Sequence, residues 1–214
     1  MNGIVFRGQQ AGFGNQSVPG GFMLNTLGEQ IVMDWFQKAV MDGSCFHVRA
    51  GTLTTPLVGD VVITDTAAEM AIDAASGTTI IPIRVVVAQR LGTGTLFEHA
   101  LKSVATVSSS GTAFVPLNNR SDGSAAVSTA RVQAAGAVTV TAELATTTLR
   151  HWAYSQPIAQ GAFNGPSDLP ALLVPAPVLV GPRCCYLQVA ATTTGPSYYA
   201  SVDYIEYATT LVVL

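Results

Sequence analysis

The chain has 214 residues, of which 49% are hydrophobic and 11% charged, and its net charge is −3. The charged fraction is less than half of the usual quarter or so. The chain is therefore either embedded in a membrane or buries much of its surface against copies of itself. Because no run of about 18 uninterrupted apolar residues occurs, a transmembrane helix is not expected, and we favour contact between subunits.

Charge and cysteine spacing exclude further classes. The ten lysines and arginines never form a basic run, so a dedicated nucleic-acid site is not expected. The first ten residues lack a charged stretch followed by an apolar segment, so no signal peptide is expected. Cys45 is far from the adjacent Cys184 and Cys185, which makes no disulfide framework. Neighbouring residues of a strand point to opposite faces, so we expect no bond between that pair.

Residues 1–25 form a segment rich in glycine, glutamine and asparagine. Such a composition cannot offset the entropy of its own ordering by burial within one chain. Two interpretations remain, a disordered segment or an extended arm that lies on a neighbouring subunit and adds to the edge of its sheet. We predict the arm, because five spaced apolar residues offer anchors: Ile4, Val5, Phe6, Phe13 and Phe22.

Residues 27–41 predict the one helix of the chain. Thr26 and Glu29 have the spacing of a capping box at its start, and Gly43 is suited to its end. Apolar residues recur at helical spacing and predict an amphipathic helix that covers the end of a sheet. The predicted buried face contains Ile31, Val32, Trp35, Phe36 and Ala39.

Residues 77–90 contain the longest run that is typical of a β-strand. Most of its side chains are β-branched and fit a pleated surface. Pro82 cannot donate to a ladder of hydrogen bonds, so we expect an edge, a bulge or a bend there. Simple alternation places four residues on one face: Ile81, Ile83, Val85 and Val87.

Short strands separated by turn residues follow one another along the rest of the chain. The last two strands, 184–191 and 198–207, are predicted to pair as a hairpin. This pattern predicts an all-β fold, a single β-sandwich or jelly roll over residues 26–214, with one N-terminal amphipathic helix and the extended arm. Further strands are predicted at 45–50, 61–64, 69–72, 95–107, 127–132, 137–144 and 146–154.

A proline-rich loop is predicted at residues 156–182. Glycines and prolines punctuate it throughout, and apolar patches lie at 169–174 and 178–180. Long irregular segments in a domain often carry function or contacts between subunits. We expect this loop to be ordered, extended and involved in assembly.

No residue pattern predicts a catalytic or metal site. None of the three histidines, His47, His99 and His151, lies in a pair with metal-ligand spacing. His47 shares a strand face with Arg49 and can pair with an acid. Asp203 and Glu206 are expected on opposite faces of their strand, which does not suit a pair of catalytic carboxylates. We therefore expect a protein that is not an enzyme, with no metal and no cofactor.

Two further sets of side chains have alternative interpretations. Trp152 and Tyr154 offer a surface on which a sugar or a base can stack, or they simply pack in the core. Asp60 and Asp65 flank a predicted strand as turn residues, because no calcium-binding loop pattern surrounds them. The adjacent cysteines have no base near them in sequence, so buried thiols are expected.

The whole chain resembles structural proteins of bacteriophage virions. Three features carry the likeness: the glycine- and glutamine-rich arm, the single amphipathic helix, and the short strands with few charged residues. The last two of these strands, which contain residues 185–189 and 199–207, resemble the closing strands of such phage proteins. Within that class the chain is most similar to small jelly-roll capsid or head-decoration subunits. The resemblance implies a non-enzymatic virion subunit, made in the host cytoplasm, that assembles symmetrically as a trimer or larger shell and contacts other virion proteins. The alternative is a receptor- or carbohydrate-binding β-sandwich of a tail-associated or lectin-like protein.

Overall fold

The computed structural model describes most of the chain from residue 35 onwards. The predicted arm with its five anchors, and the first part of the predicted helix, lie outside the described residues. Side chains at 89–91, 152, 154–157 and 171–172 are also outside the description. The described ranges are 35–52, 54–91, 96–133, 136–143, 148–157, 171–173, 176–192 and 196–211.

Strands dominate the described residues, which confirms the all-β prediction. The helical elements are an α-helix, α1 (Trp35–Met41), and a 3-10 turn at Thr209–Leu211. The strands are β1 (Cys45–Ala50), β2 (Leu57–Val58), β3 (Ala67–Ala68), β4 (Met70–Ala74), β5 (Thr78–Leu91), β6 (Leu96–Val104), β7 (Ser109–Ser110), β8 (Thr112–Phe114), β9 (Leu117–Asn118), β10 (Thr129–Val132), β11 (Val138–Thr139), β12 (Leu149–Pro157), β13 (Ala171–Leu172), β14 (Leu179–Val180), β15 (Arg183–Ala191) and β16 (Ser197–Ala208).

The strands form three antiparallel sheets. A seven-stranded sheet has the order β13-β5-β16-β1-β9, with β14 beside β5 and β2 beside β16. A six-stranded sheet has the order β12-β6-β15-β4-β10-β8, and a small sheet has the order β3-β11-β7. Of the longer strands, β1, β5 and β16 belong to the seven-stranded sheet, whereas β4, β6, β12 and β15 belong to the six-stranded sheet.

One buried apolar cluster takes side chains from both large sheets. Val85 and Val202 come from the seven-stranded sheet, and Leu101 and Leu187 from the six-stranded sheet. Strands with one face in a shared core alternate between inward and outward side chains. A second cluster, which includes Val138 and Tyr186, joins the small sheet to the opposite face of the six-stranded sheet.

A bulge in β5 changes the predicted face of the longest strand. Asp203 of β16 pairs with Arg84, but the next residue, Tyr204, pairs with Pro82. One residue of β5 is therefore extra, which confirms the irregularity expected at Pro82. Because the bulge reverses the alternation, Val85 and Val87 face the main cluster together with Ile80. The prediction that Ile81 and Ile83 share the face of Val85 and Val87 was wrong, since those two isoleucines pack on the side of α1.

The helix packs on the outer face of the seven-stranded sheet through fewer residues than predicted. Ala39 is fully buried, and Phe36 packs partly buried against the same cluster. Trp35, which was predicted on the buried face, is 47% exposed. The end of the helix agrees with the sequence: Gly43 has φ +73° and its N–H donates to the carbonyl of Val40.

Two other predictions of strand arrangement were wrong. β15 and β16 exist, but they lie in different large sheets and do not form a hairpin with each other. Residues 61–64 form no strand, and Val61 and Val62 are 50% and 58% exposed. β-branched residues favour extended backbone even where no neighbouring strand is available.

The proline-rich loop is partly described. Its apolar patches form the short strands β13 and β14, and both strands pair with β5. Residues 158–170, between β12 and β13, lie outside the described residues. The apolar patches therefore extend the edge of the seven-stranded sheet, because their backbone groups complete hydrogen bonds of β5.

Candidate functional site

A cleft of about 380 Å³ opens beside β6 and β12. Glu98, Ala100 and Lys102 of β6 line it and alternate with residues of the main core cluster. The cleft therefore lies on the outer face of the six-stranded sheet, beside the small sheet. Its remaining lining residues are Ile63, Asp65, His99, Glu143, Arg150 and Ala153.

An ion-pair network crosses the cleft. Lys102 Nζ donates to Glu143 Oε2 at 2.5 Å, and Arg150 Nε donates to Glu143 Oε1 at 2.8 Å. The Lys102 side chain is only 5% exposed, whereas that of Arg150 is 65% exposed. The hydrogen bond from Lys102, followed by the one from Arg150, lowers the pKa of Glu143 below its usual value despite burial. The carboxylate of Glu143 therefore neutralises the buried ammonium of Lys102. Arg150 lies at the mouth of the cleft, where its guanidinium can bind an anionic or polar group.

Two polar groups of β15 lie beside the cleft. Tyr186 pairs with Lys102, and Gln188 pairs with Ala100. Gln188 Nε2 donates to the carbonyls of Thr64 and Ala67. The Tyr186 hydroxyl and Gln188 Oε1 are buried and have no hydrogen-bond partner among the described residues. These atoms supply unused hydrogen-bonding capacity next to the cleft.

The histidines near the cleft are not suited to proton transfer at neutral pH. Burial lowers the pKa of His99 to about 4, and its ring stands edge-on to Phe97 with 5.1 Å between the centroids. His151 Nε2 lies 2.8 Å from the Ser103 hydroxyl. Its pKa is also lowered, mainly by burial and further by Arg183. Both shifts favour the neutral ring at pH 7.

His47 was predicted to be able to pair with an acid, and that acid is Asp203. His47 Nδ1 and Asp203 Oδ1 are 2.9 Å apart on the outer face of the seven-stranded sheet. Arg84 Nη1 approaches the other carboxylate oxygen of Asp203 at 3.9 Å. Glu206 instead accepts the backbone N–H groups of Val127 and Ser128. Asp203 and Glu206 therefore point away from each other, as predicted, and form no carboxylate pair.

A further acidic residue, Glu69, is buried beside β15. Glu69 Oε2 accepts the backbone N–H of Val189 at 2.7 Å. Burial raises the pKa of Glu69 to about 8, against the smaller opposing effect of that hydrogen bond. Burial also raises the pKa of Asp60, whose backbone bonds to both Val189 and Ala191. Glu69 is therefore mostly protonated at pH 7 and acts as a neutral hydrogen-bonding group.

The three cysteines are free and buried. Cys185 belongs to the main cluster and Cys184 to the second cluster, so the two thiols lie on opposite faces of β15, as predicted. Burial raises the pKa of Cys185 to about 12 and that of Cys45 to about 11. Both thiols are therefore protonated and poorly nucleophilic at neutral pH.

The predicted stacking residues cannot be placed by their side chains. The backbones of Trp152 and Tyr154 lie in β12, opposite Leu101 and His99 of β6. Their side chains, and all five predicted arm anchors, lie outside the described residues. Between them, Ala153 is exposed and lines the cleft. Stacking of a ligand by Trp152 or Tyr154 stays a prediction.

The cleft itself was missed from the sequence. Glu98 and Lys102 have the spacing of residues that share a strand face, but Glu143 and Arg150 reach them only through the fold. Within the described ranges, no group of three or more His, Cys, Asp or Glu side chains can hold a metal ion. No helix in the described part of the chain is long and apolar enough to cross a membrane.

Comparison of the chain with protein-family models, with curated proteins and with solved structures finds no match. The functional assignment therefore rests on strand order, surface composition and the geometry of the cleft.

Proposed function

We propose that the two large sheets are the layers of a jelly roll. Eight strands form nested pairs when they are taken in chain order: the first pairs with the last, the second with the second from last, and so on. These strands are β1, β4, β5, β6, β12, β13, β15 and β16. The neighbours are β1 with β16, β4 with β15, β5 with β13, and β6 with β12. This nested pairing is what results when one long antiparallel hairpin is rolled up into two sheets. The strands added at the β1 and β4 edges, β8, β9 and β10, all come from the connection between β6 and β12.

We further propose that the chain is a non-enzymatic structural subunit of a bacteriophage particle, either a capsid protein or a decoration protein. The nested strand order carries the proposal, because the jelly roll is an architecture of viral capsid domains. The subunit needs no cofactor. Its place of action is the virion, after synthesis in the host cytoplasm, and its partners are copies of itself and other virion proteins.

Surface composition supports assembly with copies of the same chain. Several large apolar side chains are at least half exposed, although only 11% of all residues are charged. Interface cores are depleted in charged residues, and exposed large apolar side chains are available to form such a core. The most exposed are Met41, Val58, Val62, Val115 and Val127.

Light scattering and negative-stain microscopy of the purified chain test this proposal. We expect a symmetric oligomer, a trimer or a larger shell, at micromolar concentration. A stable monomer of 22.2 kDa would contradict it. Chromatography with added salt serves as the control, because assembly through apolar surface should persist while charge-driven association is screened.

The cleft supports a second candidate, a receptor- or carbohydrate-binding domain. Its volume suits a small ligand, its mouth carries Arg150 together with the acids Asp65 and Glu98, and jelly rolls also occur as lectin domains. A glycan array probes this function directly. Binding that is lost in Trp152→Ala or in Arg150→Ala, but kept in Asp122→Ala on a distant exposed loop, would favour it over the structural role.

A further inference from the structure

One sheet edge of this protein differs from all other described edges in length. β12, with nine residues, ends the six-stranded sheet and pairs with β6 alone among the described residues. Every other edge strand in the described part of the chain has only two or three residues. Short edges are one means by which proteins avoid unwanted pairing. β12 therefore presents a long row of backbone groups with which no other described strand pairs.

The usual forms of edge protection are confined to the two ends of β12. Near its start, Arg150 bonds to Glu143 and the pairing register shifts between Arg150 and Trp152. At its other end stands Pro157. Between them, residues 152–156 (Trp-Ala-Tyr-Ser-Gln) keep a regular register with β6 and contain no charge, glycine or proline. Edge strands that are kept apart from partners normally carry lysine, proline or a bulge, and this stretch has none of them.

We propose that β12 pairs antiparallel with β12 of a second copy across a two-fold axis, so that two six-stranded sheets become one continuous sheet. The inference rests on the proposed self-assembling function and names the contact through which it occurs. No other described edge has the length to match β12, so a second β12 is the complementary partner that this chain offers. A pairing centred in residues 152–156 also brings no two like charges of the paired strands face to face, because Arg150 is the only Lys, Arg, Asp or Glu residue of β12.

The two-fold arrangement also explains why such an edge is tolerated. In an isologous contact both copies use the same surface, and the contact closes on itself. Each β12 is then fully consumed by its partner, and no further strand can add at that edge. A bare edge of this length would otherwise invite open-ended association.

Ala153→Lys tests the contact. The Ala153 side chain is exposed, so the substitution is tolerated in the single subunit, but across the axis it places two lysines near each other and puts a charge on the edge. We expect the assembly mass measured by light scattering to fall by a factor of about two or more. Far-ultraviolet circular dichroism should stay unchanged. The matched control is Thr129→Lys, an exposed position on β10, which is paired on both sides.

Cross-linking gives a positive readout that does not depend on loss of assembly. In Ala153→Cys, a short bismaleimide should join two chains, because the three native cysteines are buried, and Thr129→Cys should not cross-link. Unchanged assembly mass in Ala153→Lys, or failure of Ala153→Cys to cross-link, would overturn the β12 contact while leaving self-assembly intact. A monomeric wild-type chain would remove both proposals. Loss of assembly on deletion of residues 2–22, with Ala153→Lys unaffected, would assign the contact to the arm instead.

Discussion

Glu206 Oε2 accepts a hydrogen bond from the backbone N–H of Ser128 at 2.9 Å, and the Ser128 hydroxyl lies 2.7 Å from that of Tyr204. The other oxygen of the same carboxylate accepts the N–H of Val127. These bonds tie the segment that precedes β10 to the central strand β16. The segment belongs to the long connection between β6 and β12, which contains only the short strands β7 to β11.

Glu206→Ala should destabilise the protein because it leaves two backbone donors without their acceptor. A buried donor left unsatisfied costs about 1–3 kcal/mol, and Ser128 is buried. Glu206→Gln keeps one carbonyl acceptor and should lose less. Urea denaturation measures both, with Asp122→Ala in an exposed loop as the control. Equal stability of the Ala and Gln variants would mean that the two hydrogen bonds contribute nothing.

The helix predicts a contrast between neighbouring residues. Phe36 packs partly buried against Ala39 and its cluster, whereas Trp35 is 47% exposed. Phe36→Ala should lower the free energy of unfolding by about 1–3 kcal/mol, less than a fully buried phenylalanine would. Trp35→Ala and Gln37→Ala should have smaller effects on the isolated subunit. Thermal melts of the three variants measure these effects. A larger loss of stability for Trp35→Ala than for Phe36→Ala would support the buried face predicted from the sequence.

The sequence predicts local structure here better than arrangement. The run at 77–90 shows a strand and an irregularity at Pro82, because both follow from side-chain shape and a missing donor. It does not show that the bulge reverses the alternation of side chains between the two faces of the sheet, because this depends on which residue of β16 lies opposite Pro82. The assignment of β15 and β16 to separate sheets has the same origin. Nearness in sequence favours a hairpin, but β15 pairs with β4 and β6 in one sheet and β16 pairs with β1 and β5 in the other.

The cleft could not be predicted for a related reason. Lys102 looks like an exposed charge on a strand, yet its side chain is 5% exposed and is neutralised by Glu143 from a segment 41 residues away. Such pairs form only after the chain has folded. No residue pattern in the sequence identifies which two side chains form such a pair.

The ion-pair network predicts unequal effects of substituting Glu143 and Lys102. Glu143→Ala leaves the Lys102 ammonium buried without its anion, at a cost of about 1–3 kcal/mol or more for an unsatisfied charged group. Lys102→Met leaves Glu143 paired with Arg150 at the mouth of the cleft and should cost less. Chemical denaturation at low and high salt measures the difference. A larger loss for Lys102→Met would show that the ammonium is not the group that needs compensation.

Deletion of residues 2–22 tests the predicted arm. The β domain should stay folded, with its circular dichroism kept, because residues between Phe36 and Tyr207 form the described apolar clusters among themselves. The oligomer should become smaller or weaker, since the anchors Ile4, Val5, Phe6, Phe13 and Phe22 would be lost. Substituting the three phenylalanines by serine in the full-length chain is the matched control for chain length. Unchanged size and thermal stability, or an arm that proteases remove from the intact assembly, would contradict the prediction.

Glu69 predicts how stability depends on pH. Its pKa is raised from 4.5 to about 8, chiefly by burial, so between these values the folded state holds a proton that the unfolded state has lost. The contribution of Glu69 is therefore fully present below about pH 4.5 and is lost as pH rises through about 8. Asp60 acts in the same direction, because its pKa is also raised by burial. His99 acts in the opposite direction, since burial lowers its pKa to about 4.

Glu69→Gln isolates the contribution of this one carboxyl. The amide keeps an acceptor for the Val189 N–H but does not titrate, so the urea midpoint of the variant should fall less than that of the wild type between pH 5 and pH 8.5. Asp60→Asn is the second arm of the experiment and should flatten the profile to a smaller extent. Groups that both proteins share, including His99, cancel in the difference between wild type and variant. Parallel profiles for wild type and Glu69→Gln would mean that the carboxyl is ionised in the folded protein across this range, and that water or a cation reaches it beside β15.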